Sequence, residues 1–90
     1  MTFEWNKPKA VANLKKHGVE FREAATVFDD PLSSIFPDRE HSTSERRFLI
    51  IGLSALGRVL VVAHTEIGRT IRIISAREAT RAERKFYEET

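Results

Sequence analysis

The 90-residue chain is 41% hydrophobic and 31% charged, so we expect one small soluble domain over residues 1–90, too short to hold two independent cores. It has no cysteine, no apolar run near the roughly 20 residues that span a bilayer and no signal-peptide pattern at its N-terminus, which excludes disulfides and membrane spans and favours the cytoplasm. With 15 basic and 13 acidic side chains the net charge is +2, a mild bias that permits an anionic partner but lacks the charge density of a DNA-coating protein.

The first half of the chain predicts one short strand and two helices. Residues 2–5, TFEW, are predicted as an edge strand. Residues 7–18 predict a helix, because Pro8 falls in the first turn, where its missing N–H costs nothing, and Gly18 is a natural stop. Residues 20–31 predict a second helix with one apolar stripe, ended by a proline. The apolar residues are Val11 and Leu14 in the first helix, and Phe21, Ala24, Ala25 and Phe28 in the second.

The second half predicts consecutive antiparallel strands. A short strand over residues 32–38 and a polar loop over residues 39–46 come first. Three apolar, β-branched runs follow, and the glycines between them can supply the positive φ that tight hairpins require. The three runs are residues 47–54, 58–66 and 70–77, separated by turns at Gly57 and Gly68.

The tail, residues 78–90, predicts a C-terminal helix. Thr80 can cap its N-terminus, and Glu83, three residues later, completes the pattern of a capping box. Together the elements predict an α+β fold, in which N-terminal helices and a C-terminal helix pack on an antiparallel sheet.

Polar and charged side chains end two of the predicted strands. Because side chains alternate along a strand, His64 and Glu66 point to one face, near the Gly68 turn. Arg72 lies just past that turn as a cross-strand neighbour, and Arg77 ends the next strand. We therefore predict that these four side chains meet at one groove.

Such a set suits the cleavage of RNA without a metal ion. In that reaction the 2′-OH attacks the adjacent phosphate, so the enzyme must remove the 2′ proton, protonate the leaving 5′ oxygen and stabilise the phosphorane. His64 can act as acid or base because histidine titrates near neutrality. Glu66 can be the second proton-transfer group or can orient the imidazole. Arg72 and Arg77 can hold the phosphate through paired N–H donors.

A purely structural interpretation fits the same residues. A histidine beside a glutamate at a strand end is often a surface hydrogen-bonded pair, and Arg72 can simply form an ion pair with Glu66 across the hairpin. The sequence pattern leaves both interpretations open.

Further side chains could extend a phosphate-binding surface. Arg46 and Arg47 either bind RNA or form the charged entrance of a strand. Arg81 and Tyr87, on the final helix, suit an anionic groove or a solvated helix face. No cofactor is predicted.

No metal site is predicted either. His17 precedes the stop of the first helix, where its cationic form interacts well with the helix dipole, and His41 lies in the polar loop. Because the three histidines lie on different elements without tight spacing, they do not form a ligand set.

Five blocks of sequence run almost end to end, from Phe3 to Glu89. They are FEWNKPKA, NLKKHGVEFREAATVFDDP, ERRFLIIGLS, GRVLVVAHTE and IRIISAREATRAERKFYEE. Their order and spacing, with the KHG turn, the AxxVFDDP segment, the HTE strand end and the RIISAR block, resemble the BrnT toxins of bacterial type II toxin–antitoxin modules.

The resemblance implies a RelE-like fold and a small ribonuclease that arrests growth by cutting RNA. It also implies neutralisation by a BrnA antitoxin with a ribbon-helix-helix DNA-binding part, assembly as a heterotetramer, and repression of the operon by that complex. In RelE-like toxins the active groove lies over the sheet, and by analogy it would contain His64, Glu66, Arg72 and Arg77.

Two positions depart from the family pattern. Asn6 stands where an acidic residue is usual, and Glu78 stands where a lysine is usual. The second change removes positive charge near the expected groove. The alternative to an endoribonuclease is therefore a catalytically weak binding module that acts mainly as the antitoxin's partner in an operator-binding repressor.

Overall fold

Five strands and three α-helices make up the part of the chain that the computed structural model describes, residues 1–41 and 45–89. Residues 42–44 of the predicted polar loop and Thr90 of the predicted tail helix lie outside the described residues. In chain order the elements are β1 (Thr2–Glu4), α1 (Lys7–His17), α2 (Phe21–Thr26), a 3-10 turn (Val27–Asp29), β2 (Ser34–Pro37), β3 (Phe48–Leu53), β4 (Val59–Ile67), β5 (Thr70–Glu78) and α3 (Arg81–Glu88).

The strands form one sheet in the order β1-β5-β4-β3-β2. As predicted, β3, β4 and β5 pair antiparallel as consecutive hairpins, with φ of 84° at Gly57 and 60° at Gly68. In contrast, β1 runs parallel to β5, with Thr2 opposite Thr70, so the sheet is mixed. The three residues of β1 carry no signal of strand direction, and the long connection from β1 to β5, through α1, α2 and three strands, permits either direction. The α+β class is confirmed.

The helices cover the two faces of the sheet separately. α1 and α2 pack on one face, called here the α1/α2 face, and α3 packs on the other, called the α3 face. The core of the α1/α2 face consists of Val19, Phe21, Ala24, Val27, Ile50, Leu60, Val62, Ile71, Ile73 and Ala76. The core of the α3 face consists of Ile51, Val59, Val61 and Ala79.

The predicted helix boundaries are largely confirmed. Gly18 ends α1 with φ of 68°, and its N–H donates to a carbonyl of the last turn. Thr80 and Glu83 form the predicted capping box. The Thr80 hydroxyl accepts the Glu83 N–H at 3.2 Å, and the Glu83 carboxylate accepts the Thr80 N–H at 2.8 Å. α2 ends at Thr26, earlier than predicted, although Phe28 of the following turn still packs against the core. Within the described ranges, no helix has the length and apolarity needed to cross a membrane.

A β-bulge changes which side chains share a face of β5. Ala63 pairs with Ser75, but His64 pairs with Ile73, so Ile74 has no partner on β4. An extra residue of this kind reverses the alternation of side chains along the bulged strand. Residues on either side of the bulge that are an odd number of positions apart therefore point to the same face.

Candidate functional site

His64 lies inside the protein, on the α1/α2 face of β4. Its side chain is 0% exposed, stacked on Phe48 with ring centroids 5.8 Å apart and edge-on to Phe28 at 4.8 Å. The imidazole Nε2 lies 3.0 Å from Oε2 of Glu66, whose side chain is 40% exposed. The two residues share a face, as alternation predicted, but packed side chains enclose the imidazole.

Arg72 and Arg77 project from the opposite face. Arg77 of β5 lies directly opposite Val61 of β4, and Val61 belongs to the core of the α3 face. Arg72 precedes Ile73, which pairs with His64. Directly opposite residues share a face and strand neighbours alternate, so both guanidinium groups lie on the α3 face. The prediction that the imidazole shares one open groove with these arginines is wrong.

The surroundings of the two arginines differ. The Nε of Arg72 donates to Oε1 of Glu4 at 3.1 Å, and both side chains are nearly half exposed. Arg77 instead donates from Nη1 and Nη2 to the two carboxylate oxygens of Glu83, at 2.7 and 2.9 Å. Five residues of strand separate the two arginines by roughly 15 Å. In this arrangement each guanidinium is held by a different carboxylate, Glu4 or Glu83, so the two are not positioned to share a phosphate.

Burial gives His64 a packing role that we can test. His64→Leu puts an apolar side chain of similar size between Phe28 and Phe48, so we expect the predicted RNA cleavage to stay within a few-fold of the wild-type rate. His64→Ala leaves a cavity, and we expect it to lower the free energy of unfolding by about 2–4 kcal/mol. Thermal melting and single-turnover RNA cleavage measure the two effects. A 100-fold slower cleavage by a folded His64→Leu variant would restore the catalytic role.

A groove of about 380 Å³ runs between α3 and the sheet on the α3 face. Two half-exposed aromatic rings, Phe36 of β2 and Phe86 of α3, flank it with their centroids 5.7 Å apart. Arg77 adjoins it through two of its lining residues, Glu83 and Val61. The lining residues are Phe36, Leu49, Ile51, Val61, Ala82, Glu83 and Phe86.

The Arg77–Glu83 pair stays charged on both sides across the neutral pH range. Hydrogen bonds from Arg77 lower the pKa of Glu83 from 4.5 to about 2, against the opposing effect of burial and with help from the backbone N–H of Thr80. The same hydrogen bonds raise the pKa of Arg77. A phosphate that binds Arg77 must therefore compete with a carboxylate already seated on the guanidinium.

Tyr87, predicted to contact RNA, anchors α3 instead. Its hydroxyl donates to Oδ2 of Asp30 at 2.5 Å, and the same oxygen accepts the backbone N–H of Leu53 at 2.7 Å. The hydrogen bond to Asp30, together with burial, raises the pKa of Tyr87 to about 12. The hydroxyl therefore points to Asp30 in the segment before β2, and this contact fixes α3 over the sheet.

The remaining predicted RNA-binding arginines lie on different faces. The guanidinium of Arg46 stands 5.8 Å from the ring of Phe48, on the α1/α2 side. Arg47 lies two residues before Leu49 in extended chain, which directs it toward the α3 face. Arg81 is exposed in the first turn of α3, next to Ala82 of the groove wall. Arg47 therefore points to the face that carries the groove, whereas Arg81 lies about 100° around the helix from Ala82 and points away from the wall formed by Ala82, Glu83 and Phe86.

The sequence did not indicate the groove itself. The pattern of Thr80 and Glu83 predicted a cap, but nothing in it showed that the same carboxylate also binds Arg77 across the strand–helix junction. Phe36 and Phe86 lie 50 residues apart in the chain, and the pairing of β2 with β3 and the packing of α3 on β3 bring them together. In a regular strand, Arg72 and Arg77, five positions apart, would point to opposite faces of the sheet. The bulge at Ile74 puts them on the same face.

No part of the described chain offers a metal centre. Within residues 1–41 and 45–89, no three His, Cys, Asp or Glu side chains lie close enough together to hold a metal ion. His17 is the last residue of α1, and Nδ1 of His41 lies 3.2 Å from the carboxylate of Asp38 in the loop before β3.

Comparisons with known proteins point to one family. A family model for the ribonuclease toxin BrnT of type II toxin–antitoxin systems matches residues 5–83. Among solved structures, the crystal structure of the Brucella abortus ribonuclease toxin BrnT is similar, with a TM-score of 0.70 and 24% sequence identity over 90% of this chain and 99% of that chain. The structural likeness concerns the fold. A comparison with curated proteins gives no match.

Proposed function

The chain belongs to the BrnT family, the ribonuclease toxins of type II toxin–antitoxin systems, and from this membership we propose that it is an endoribonuclease that cleaves RNA without a metal ion. Cleavage by attack of the 2′-OH stops translation and growth in the cytoplasm. A BrnA-type ribbon-helix-helix antitoxin neutralises the toxin in a heterotetramer. The complex reaches operator DNA only through the antitoxin.

The groove on the α3 face supports this proposal, and Arg77 beside it is the observation that carries it. The bidentate contact with Glu83 places two N–H donors parallel, in the geometry that also fits two non-bridging oxygens of a phosphodiester. The rings of Phe36 and Phe86 offer faces on which bases can stack. Cation and aromatic surface thus lie along one groove, as a single RNA strand requires.

The other proposed contacts divide between the two faces. Arg47, directed to the face of the groove, is proposed to bind a neighbouring phosphate, and Arg81, exposed at the start of α3, is proposed to bind RNA that continues past the groove. Glu83 is the carboxylate in this groove, and its low pKa keeps it able to accept a hydrogen bond from a 2′-OH. Glu66 and Arg46 lie on the α1/α2 face, so they can contact only RNA that crosses that face. Arg72, on the α3 face, would bind a phosphate roughly 15 Å from Arg77.

One observation favours the alternative function, a catalytically weak binding module. In the free chain the guanidinium of Arg77 is neutralised by Glu83, and the hydrogen bonds between them raise the pKa of Arg77 against the opposing effect of burial. A toxin held in this state would serve mainly as the antitoxin's partner in an operator-binding repressor.

Expression without the antitoxin and cleavage in a chelator together test the proposal. We expect growth arrest in cells, and cleavage of purified RNA by the purified chain in EDTA. Intact RNA with a folded chain would favour the binding module. Cleavage abolished by EDTA and restored by Mg²⁺ would contradict the metal-free reaction but leave the ribonuclease in place.

A further inference from the structure

A second groove lies on the outer side of α1, away from the proposed RNA groove. It has a volume of about 290 Å³, and we call it the α1 groove. Its floor is apolar, and it opens to solvent between α1 and the start of α2. The lining residues are Trp5, Ala10, Val11, Leu14, Glu20, Phe21 and Arg22.

The orientation of α1 is the reverse of that expected for an amphipathic helix. Val11 and Leu14 are 56% and 44% exposed, whereas the polar Asn13 is 8% exposed and faces β5. A helix that needed only to cover the sheet would bury its two largest aliphatic side chains. Here they are directed outward, where they form one wall of the α1 groove.

Asn13 holds the helix in this orientation. Its Nδ2 donates to the carbonyls of Val19 and Ala76 at 3.0 and 2.8 Å, and its Oδ1 accepts the backbone N–H of Ala76 at 3.1 Å. These bonds satisfy a buried amide and tie α1 to β5. The apolar surface is therefore a fixed feature of the fold, ready to bind without rearrangement of the helix.

The charges around the groove define the partner. The charged side chains of α1 are all basic: Lys7, Lys9, Lys15 and Lys16, with His17 at the end, although Lys9 lines a different pocket together with Arg72. Arg22 adds a cation to the lining, and Glu20 is the one acidic residue among those lining residues. A complementary segment has apolar side chains at helical spacing, flanked by carboxylates.

We propose that the α1 groove binds an acidic amphipathic helix of the antitoxin, with Val11, Leu14 and Trp5 as its apolar contacts. This inference rests on the proposed function, which supplies the antitoxin as partner. It leaves the α3 face open, so toxin and antitoxin associate without occupying the groove beside Arg77. Neutralisation would then follow from how the rest of the antitoxin lies over the toxin.

Two other occupants fit the surface less well. A second copy would form a two-fold interface in which the same patch meets itself, bringing the lysines of one α1 against those of the other. RNA would find the lysines, but Val11 and Leu14 offer it neither hydrogen bonds nor an aromatic face, and the Trp5 ring is partly buried and packs edge-to-face on the buried Phe21. An acidic helix satisfies both the apolar floor and the basic rim.

Charge substitution in the groove tests the proposal. The probe is the protein encoded beside the toxin gene, titrated into the purified chain in a calorimeter. We expect the double variant Val11→Glu, Leu14→Glu to bind it about 100-fold more weakly than the wild type. Ile67→Glu is a matched control, because Ile67 is also 56% exposed but lies at the far end of β4. It should bind normally.

Further readouts separate the possible outcomes. Both variants should melt near the wild-type temperature and cut RNA at the wild-type rate. Lys7→Glu with Lys15→Glu, at exposed positions, should weaken binding about tenfold and reduce its salt dependence. Normal binding by the Val11, Leu14 variant overturns the proposal, as does a wild-type dimer that this variant dissociates. Wild-type chain that cuts RNA but ignores the probe overturns it while the ribonuclease stands.

Discussion

Replacing Arg77 with alanine is expected to slow RNA cleavage by about 100- to 1,000-fold, the effect of removing one transition-state donor from an enzyme site. The guanidinium adjoins the groove on the α3 face and presents parallel donors, as its contact with Glu83 demonstrates. Negative charge grows on the phosphorane oxygens in the transition state, so these donors act mainly on the rate of the chemical step. Single-turnover cleavage of purified RNA in EDTA measures that rate directly.

Two further variants make the Arg77 prediction specific. Arg77→Lys should recover little activity, because an ammonium cannot make the bidentate contact. Arg72→Ala removes a guanidinium of similar exposure from the same face, paired with Glu4 rather than placed beside the groove, and should change the rate only a few-fold. Equal losses in Arg72→Ala and Arg77→Ala, or none in either, would contradict the assignment of the groove.

Local signals in the sequence predicted the elements well. The hairpin glycines, the stop at Gly18 and the capping box at Thr80 each depend on a few adjacent residues, and each is confirmed. The parallel direction of β1 and the burial of Asn13 depend on contacts made far along the chain, with β5. Patterns within a short window contain no information about such contacts.

The candidate site was predicted less completely for the same reason. Alternation along β4 correctly placed His64 and Glu66 on one face. Alternation could not reveal the bulge opposite Ala63, which sets the face of Arg77. It also could not reveal the packing of Phe28 and Phe48 around the imidazole. The sequence therefore identified plausible residue types, whereas their grouping depends on irregular pairing and on helix placement.

An ion pair inside the fold, between Glu23 of α2 and Arg58 before β4, carries the largest expected effect on stability. The Glu23 side chain is 5% exposed and accepts hydrogen bonds from Nε and Nη2 of Arg58 and, at 2.7 Å, from Ser54. Arg58 also donates to the carbonyl of Gly18 at 3.1 Å. The guanidinium thus joins α2, the β3–β4 turn and the end of α1.

Arg58→Ala is expected to lower the free energy of unfolding by about 3–5 kcal/mol, because it leaves a buried carboxylate without its cation. That is a large share of the roughly 5–15 kcal/mol typical of whole domains. Urea denaturation at neutral pH measures the loss. Arg72→Ala, which breaks the exposed pair with Glu4, is the control and should cost about 0–1 kcal/mol. Similar costs for the two variants would contradict the buried role.

The pH dependence gives an independent check on the same pair. Hydrogen bonds from Arg58 lower the pKa of Glu23 from its ordinary 4.5, more than burial raises it. A lowered folded-state pKa means that the pair's stabilisation is fully present above pH 4.5 and is lost as the pH falls through the folded-state value. In Arg58→Ala the carboxyl is buried without a cation, so acid relieves its cost. The stability gap between wild type and variant should therefore narrow on acidification, and a constant gap would show that Arg58 acts through packing alone.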